Sequence, residues 1–230
     1  SLLEGNAAFL NSDIQYIFRK QLEEADMIVV SKFDLLETSQ RAMIEEELEK
    51  EYPEKQLLFQ NSYNQSNISN WLYALQHFSA PAERYSLELD YEIYAKGELS
   101  LAWMDETLLF TSNDGTATTA AFALTQLVYK QISLAGFPVG HLKFLVDDGK
   151  TKEKISYTTI NRQMPTIKLM DDFSDRTTLL VNARVQASPE ELDAVVRRAL
   201  NILATNFSGT IKILKSSSFK PGTPVPVWRL

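Results

Sequence analysis

The sequence contains no cysteine and only two histidines, His77 and His141, among its 230 residues. Disulfide bonds, thiolate metal sites and cysteine nucleophiles are therefore excluded for this chain, and a histidine-based metal cluster is disfavoured. Eight glycines and eight prolines are too few for a fibrous or disordered chain. The apolar run without charge at residues 115–129 is too short and too polar to span a bilayer. Because no basic and then apolar signal segment follows Ser1, we expect a cytoplasmic protein without a membrane partner.

Charge is distributed unevenly along the chain. Residues 1–80 carry 6 Lys and Arg against 13 Asp and Glu, whereas residues 81–230 carry 17 of each. This change, together with the Ser-Ala-Pro-Ala segment at 79–82, predicts domains over residues 1–80 and 84–230. The acidic balance and the lack of a basic stripe in the sequence argue against a nucleic-acid partner.

The first third has the helix signals of an α/β domain. Apolar residues at helical spacing predict helices over about residues 10–24 and around residues 68–78. A charged helix between them is predicted to be capped by Thr38 or Ser39 and to run to Tyr52, where Pro53 stops it.

Two apolar runs lie between these helices and predict short strands. Residues 27–30 and 57–59 have the unbroken apolar pattern of parallel strands that are buried on both faces. The resulting order α-β-α-β-α is that of a doubly wound sheet, which binds ligands beyond the carboxyl ends of its strands. The loops 31–34 and 61–66 lie at those ends.

The remaining two thirds predict an α+β domain. Alternation over residues 84–112 indicates antiparallel strands with a turn at Lys96–Gly97, and Asp105–Glu106 is interpreted as a further turn. Two strand–helix–strand series follow, the second beginning at Thr178, 71 positions after Thr107. Two such units suggest a ferredoxin-like or related sandwich with helices on one face of a mixed sheet; chance recurrence of common elements is the alternative. Further signals are a hairpin at Asp147-Asp148-Gly149-Lys150 and a capping box at Ser188 and Glu191.

Residues 21–36 resemble the segment of CobW/HypB/UreG-family P-loop GTPases that carries the guanine-specificity motif, usually Asn-Lys-x-Asp. The resemblance implies that Asp34 accepts hydrogen bonds from guanine N1–H and the 2-amino group, and that the Lys32 stem packs along the base. Ser31 stands where the family usually has Asn, and Ser62 corresponds to the second base-contacting loop. These four residues are the candidate nucleotide-binding residues, and no catalytic or metal-binding residue is assigned. An ordinary polar loop is the alternative interpretation.

The sequence has no Gly-x-x-x-x-Gly-Lys-Ser/Thr motif, which cradles nucleotide phosphates. The resemblance therefore implies the back half of a doubly wound GTPase domain followed by an α+β domain, unable to hydrolyse GTP by itself. Segments 140–143, 181–184 and the tail 218–230 resemble the C-terminal part of CobW-like proteins.

The same resemblance implies the function of the intact protein. It would bind GTP with Mg²⁺ and couple hydrolysis to delivery of a metal ion or metal cofactor to a client metalloprotein; a homo-oligomer is the other expected association. A different class stays open, in which the chain is a non-catalytic interaction or regulatory module on a GTPase-derived scaffold. The sequence specifies neither the metal nor the client.

Overall fold

The computed structural model describes residues 12–79, 90–157 and 174–222 and shows a mixed α/β protein with two separate sheets. The chain divides into two compact units, the first ending at Tyr94 and the second beginning at Ala95. Most of the predicted link at 79–85 lies outside the described residues, so the domain boundaries 1–80 and 84–230 stay predictions. None of the helices in the described ranges combines the length and hydrophobicity that a membrane crossing requires.

The first unit has the predicted order of helices and strands. Its elements are α1 (Ser12–Glu24), β1 (Met27–Ser31), α2 (Thr38–Glu51), β2 (Gln56–Gln60) and α3 (Gln65–His77). Strands β1 and β2 pair in parallel, with Met27 opposite Gln56 and Ser31 opposite Gln60. The helix α2 crosses between them, as a parallel connection requires.

Two details of the first unit differ from the predictions. Helix α2 is capped by Glu37, whose N–H donates to Gln40 Oε1 at 3.0 Å, because Thr38 already has helical geometry. The strands are not buried on both faces: within the described residues Ile28 is the buried member of β1, and β2 is half-buried. A two-stranded sheet leaves each strand with a free edge, so its core is a small cluster around Ile28, Leu48 and Tyr52.

The second unit is built on a five-stranded sheet. Its elements are α4 (Tyr91–Leu99), which spans the division between the units, β3 (Ala102–Thr111), α5 (Ala117–Leu134), β4 (Val139–Asp147), β5 (Lys152–Tyr157), β6 (Arg176–Val185), α6 (Pro189–Ala204) and β7 (Thr210–Phe219). The strand order is β5-β4-β6-β3-β7, and every pairing in it is antiparallel. The predicted mixed sheet is therefore wrong. The two strands of each strand–helix–strand series are parallel to each other but lie two positions apart in the sheet, and a strand of the other series lies antiparallel between them.

The core of this unit lies between the sheet and the helices α5 and α6. Burial alternates strictly along β3 and β6, so that one face of the sheet packs against the helices. Fully buried side chains include Met104, Leu108 and Phe110 from β3, and Leu192 and Val196 from α6. The predicted helices on one face of the sheet are present.

Two local predictions in this unit are wrong. Residues 91–99 form a helix rather than strands: Asp90 Oδ1 accepts hydrogen bonds from the N–H groups of Glu92 and Ile93 at 2.9 and 3.1 Å and caps the helix. Lys96–Gly97 therefore lies within α4. Asp105–Glu106 lies in the middle of β3 and is not a turn, because both neighbouring strands hold it in the ladder.

The hairpin and the capping box are confirmed. Asp148 Oδ1 accepts hydrogen bonds from the N–H groups of Lys150 and Thr151 in the turn between β4 and β5. Ser188 and Glu191 exchange backbone and side-chain hydrogen bonds at 2.8 and 3.1 Å before α6. Strand β7 contains a bulge at Leu214, where Thr107 pairs with Lys215 and Leu108 with Ile213.

Candidate functional site

The two loops that carry the candidate residues leave the same edge of the first sheet. Strand β1 ends at Ser31 and β2 ends at Gln60, and these two residues are opposite each other in the parallel register. The polypeptide therefore continues beyond both carboxyl ends side by side, with Lys32 and Asp34 after one strand and Ser62 after the other. Ligands of doubly wound sheets bind at such an edge.

The loop after β1 begins with an unusual backbone conformation. Lys32 has a φ of 58° and a ψ of 30°, the left-handed region that residues other than glycine seldom adopt. A single 3-10 turn, Phe33–Leu35, follows, and Leu35 N–H donates to Lys32 O at 3.0 Å. This turn leaves Ser31, Lys32 and Asp34 exposed. The Asp34 carboxylate makes no hydrogen bond or ion pair with the described part of the chain, so its four lone pairs are available to a ligand.

A residue outside the predicted set holds this loop in place. Arg41, in the first turns of α2, donates from Nε to Leu36 O at 2.8 Å and from Nη2 to Asp34 O at 3.1 Å. Its guanidinium also lies over the Phe33 ring, 5.3 Å from the centroid. Arg41 therefore braces the backbone of the loop, and no sequence signal marks this residue because its partners are backbone carbonyl groups.

An aromatic contact fixes the same loop to the neighbouring strand. The rings of Phe33 and Phe59 are 4.5 Å apart between centroids, at an interplanar angle of 42°. Offset and tilted ring pairs of this kind add to the stability that burial alone provides. The loop is therefore attached to β2 by Phe33 and to α2 by Arg41.

The loop after β2 is organised by asparagines. Asn61 Oδ1 accepts from Tyr63 N–H at 2.9 Å, and Asn61 N–H donates to Asn67 Oδ1 at 3.1 Å. Asn64 caps α3 by accepting from the N–H groups of two residues of its first turn. Ser62 is exposed between these ordered residues, and the neighbouring Tyr63 is 98% exposed. The structure thus places Ser62 on the loop beside that of Asp34, and Tyr63 is a candidate stacking surface that the sequence prediction did not include.

The strongest charge constellation lies in the second unit and is structural. Arg197 of α6 donates from Nη2 to the fully buried Glu106 carboxylate, to Asp193 Oδ1 at 3.0 Å and to Ser216 Oγ at 3.2 Å. Burial acts to lower the pKa of Arg197, but the Glu106 and Asp193 carboxylates outweigh it and raise the pKa above its usual value. Within the described ranges no three His, Asp or Glu side chains lie together as a metal site requires.

No protein-family model, no curated protein and no solved structure matches the chain. The family resemblance therefore rests on the sequence, most specifically on residues 21–36, and stays a prediction.

Proposed function

We propose that the chain is the C-terminal portion of a cytoplasmic CobW-like GTP-binding protein. The intact protein would bind GTP with Mg²⁺ through a phosphate-binding loop and couple hydrolysis to delivery of a metal ion or metal cofactor to a client protein. In this proposal Asp34 and Lys32 recognise the guanine base, with Ser31 and Ser62 beside them.

One observation carries the proposal. The Asp34 carboxylate is exposed and without a partner in the described part of the chain, on a braced loop at the carboxyl end of a parallel strand. A carboxylate there can accept from both guanine donors at once, whereas adenine presents no such donor pair on that edge. The left-handed Lys32 supports this assignment, since strained backbone conformations cluster at functional sites.

The second unit is proposed to have a ferredoxin-like arrangement. In chain order β3-α5-β4 and β6-α6-β7 are two strand–helix–strand series, and their strands alternate in the order β4-β6-β3-β7. This is the order of the split strand–helix–strand motif, with β5 added at one edge.

The alternative function is a non-catalytic interaction module on a GTPase-derived scaffold. The observation that favours it is the sheet face of the second unit opposite α5 and α6, where exposed side chains alternate with the buried ones along β6. Recovery of the coding sequence upstream of Ser1 separates the two functions: a P-loop and a Cys-x-Cys-Cys metal motif support the GTPase, and their absence supports the module.

The direct test is Asp34→Asn in the intact protein. An amide donor opposite a guanine donor leaves buried polar groups unpaired, at a cost on the order of 1–3 kcal/mol, or roughly tenfold to a hundredfold in affinity. The affinity for GTP should fall by this factor. The affinity for XTP should rise, because the 2-oxo group of xanthine can accept a hydrogen bond from the new amide. Competition binding of GTP, ATP and XTP measures both.

The matched control is Glu45→Gln, the same carboxylate-to-amide change on the exposed side of α2. It should leave all three affinities unchanged. Equal GTP affinity in wild type and Asp34→Asn would show that Ser31–Asp34 is an ordinary polar loop. The chain by itself should show no GTP turnover above a buffer blank, with or without Mg²⁺.

A further inference from the structure

The sheet of the second unit has a second face, which lies opposite α5 and α6; we call it the open face. On the central strand β6 it carries Leu180, 42% exposed, between Asn182 and Thr178. On the adjacent β3 the residues opposite these are Thr107, Asp105 and Leu109. The members of this face are exposed or half-buried along all five strands, so it is available to a partner.

Cations lie on both edge strands of the open face, and three more, Lys143 of β4 and Arg176 and Arg184 of β6, lie on its inner strands. The cross-strand register places Lys152 and Lys154 of β5 beside Asp147 and Leu145, and places Lys212 and Lys215 of β7 beside Leu109 and Thr107. Lys154, Lys212 and Lys215 are exposed and have no hydrogen-bond or ion-pair partner within the described ranges. The two carboxylates of this face are already engaged: Asp147 pairs with Lys152 at 3.1 Å, and Asp105 accepts a hydrogen bond from Asn182.

Three leucines form an aliphatic patch at the centre of the open face. Leu145 and Leu180 are opposite each other on β4 and β6, and Leu109 lies one strand further, diagonal to Leu180. An aliphatic patch with cations around it is complementary to a helix that has an apolar stripe between acidic flanks. Residues 81–230 carry 17 Lys and Arg against 17 Asp and Glu, and the sequence therefore did not predict this surface. Only the strand register collects the cations on one face.

We propose that the open face binds an acidic amphipathic helix of a partner protein. Five strands span about 19 Å, and a helix is about 10–12 Å wide, so lysines on β5 and β7 flank a helix that lies along β4, β6 and β3. Ten-residue strands are about 33 Å long and accept a helix of about 18 residues. The face covers about 600 Å², the size of a weak or transient interface. The inference goes beyond the proposed nucleotide function, because it involves only the second unit.

A single-stranded nucleic acid fits this surface less well. Bases bind to sheets by stacking on aromatic rings, but the centre of the open face is built of leucines. Its aromatic residues, Trp103 and Phe219, lie at one end with centroids 6.0 Å apart, and the Arg184 guanidinium already covers the Trp103 ring at 3.8 Å. The acidic helix is therefore the favoured ligand.

Fluorescence anisotropy of the full chain with labelled probes tests the proposal. The probe is a peptide of about 18 residues, with leucine at i, i+3, i+4 and i+7 and glutamate at flanking positions; the controls are a scrambled peptide of equal composition and an oligothymidylate. We expect the amphipathic peptide to bind at least about tenfold more tightly than either control, and binding to weaken as salt is raised.

Two variants locate the binding. Lys154→Glu with Lys215→Glu reverses one charge on each edge and should weaken binding of the peptide at least about tenfold. Leu180→Ser should also weaken binding of the peptide, because it removes apolar contact. The control, Lys130→Glu with Arg198→Glu, makes the same charge change at exposed positions of α5 and α6 and should alter binding less than about twofold. Circular dichroism verifies that all variants are folded.

The proposal is overturned if the wild-type chain does not bind the peptide, if the scrambled peptide binds equally, or if both open-face variants bind as wild type does. Tighter binding of oligothymidylate, lost in the Lys154 and Lys215 variant, would instead assign the face to single-stranded nucleic acid.

Discussion

At the scale of single residues, the loop after β1 combines backbone strain with external bracing. Lys32 adopts a left-handed conformation that costs an L-residue roughly 1–2 kcal/mol. Arg41 and Phe33 supply contacts that hold the loop in this shape. A loop held in this way fixes the backbone position of Asp34 before any ligand arrives, which lowers the ordering cost of binding.

The backbone of Lys32 can be tested with two substitutions. At ordinary positions alanine is more stable than glycine, but at positive φ glycine has no steric penalty. Lys32→Gly should therefore be more stable than Lys32→Ala by about 1 kcal/mol in urea unfolding. The same pair at Glu45, an exposed position in the middle of α2, should show the opposite order by about 1 kcal/mol. If alanine is the more stable residue at both positions, Lys32 is not left-handed in solution.

The sequence located the candidate loop but not what supports it. An apolar run followed by polar residues is enough to place Ser31–Asp34 at a strand end, and the structure agrees. Arg41 could not be found in this way, because its partners are carbonyl oxygens of Leu36 and Asp34, which every residue type carries.

At the scale of secondary-structure elements, α6 is attached to the sheet by an ion pair as well as by apolar packing. Glu106 occupies a core position of β3 between Met104 and Leu108, with its side chain fully buried. Arg197 neutralises it from α6. The burial of such a carboxylate is costly without this partner, so the pair couples the position of α6 to that of β3.

Replacement of Arg197 alone should lower the free energy of unfolding much more than replacement of both Arg197 and Glu106. Arg197→Met leaves the Glu106 charge buried and should lower the free energy of unfolding by about 3–5 kcal/mol. Glu106→Leu combined with Arg197→Met should recover most of this loss, because apolar residues can replace a buried pair at little cost. Asp193→Asn, which removes a partly exposed partner of Arg197, should cost less than about 1 kcal/mol. If the loss of stability in the double variant equals the sum of the losses in Glu106→Leu and Arg197→Met measured singly, the coupling is contradicted.

The elements themselves were predictable to the extent that their patterns were unambiguous. The recurrence of a strand–helix–strand series identified β6, and the Ser188–Glu191 capping box identified α6. Helix α4 was missed because Tyr91 and Ile93 alternate as strand residues do, while the capping Asp90 was not given weight. Glu106 was assigned to a turn because a charged residue in a buried strand position needs a partner. That partner, Arg197, lies 91 positions further along the chain and is brought close only by tertiary packing.

At the scale of the whole molecule, the two units differ in how much core they contain. In the first unit the buried cluster around the sheet consists of Ile28, Leu48 and Tyr52, with half-buried neighbours. In the second, a continuous core extends from β5 to α6 through all the central strands. Since burial of apolar surface is the main favourable contribution to folding, the second unit should be the more stable.

Hydrogen exchange followed by mass spectrometry measures this difference. The amides of β1 and β2 should exchange at least roughly tenfold faster than those of β3 and β6, because local opening follows the least buried elements. Helix α5, which packs on the same core as β3, should be as protected as that strand and serves as the internal reference. Equal protection of β1 and β3 would show that the chain unfolds as one cooperative unit.

The edges of the large sheet determine how this unit can associate with itself. Strand β7 is interrupted by the bulge at Leu214, and both outer strands carry outward-facing lysines. A bulge distorts the row of free N–H and C=O groups. An added strand would also bury lysine charge, which makes strand addition unfavourable. Within the part of the chain that the structure describes, the hydrogen-bonded ladder therefore ends at β5 and β7. Self-association of this unit must join side chains across a face, which yields small assemblies of whole subunits and not filaments that grow along a shared backbone.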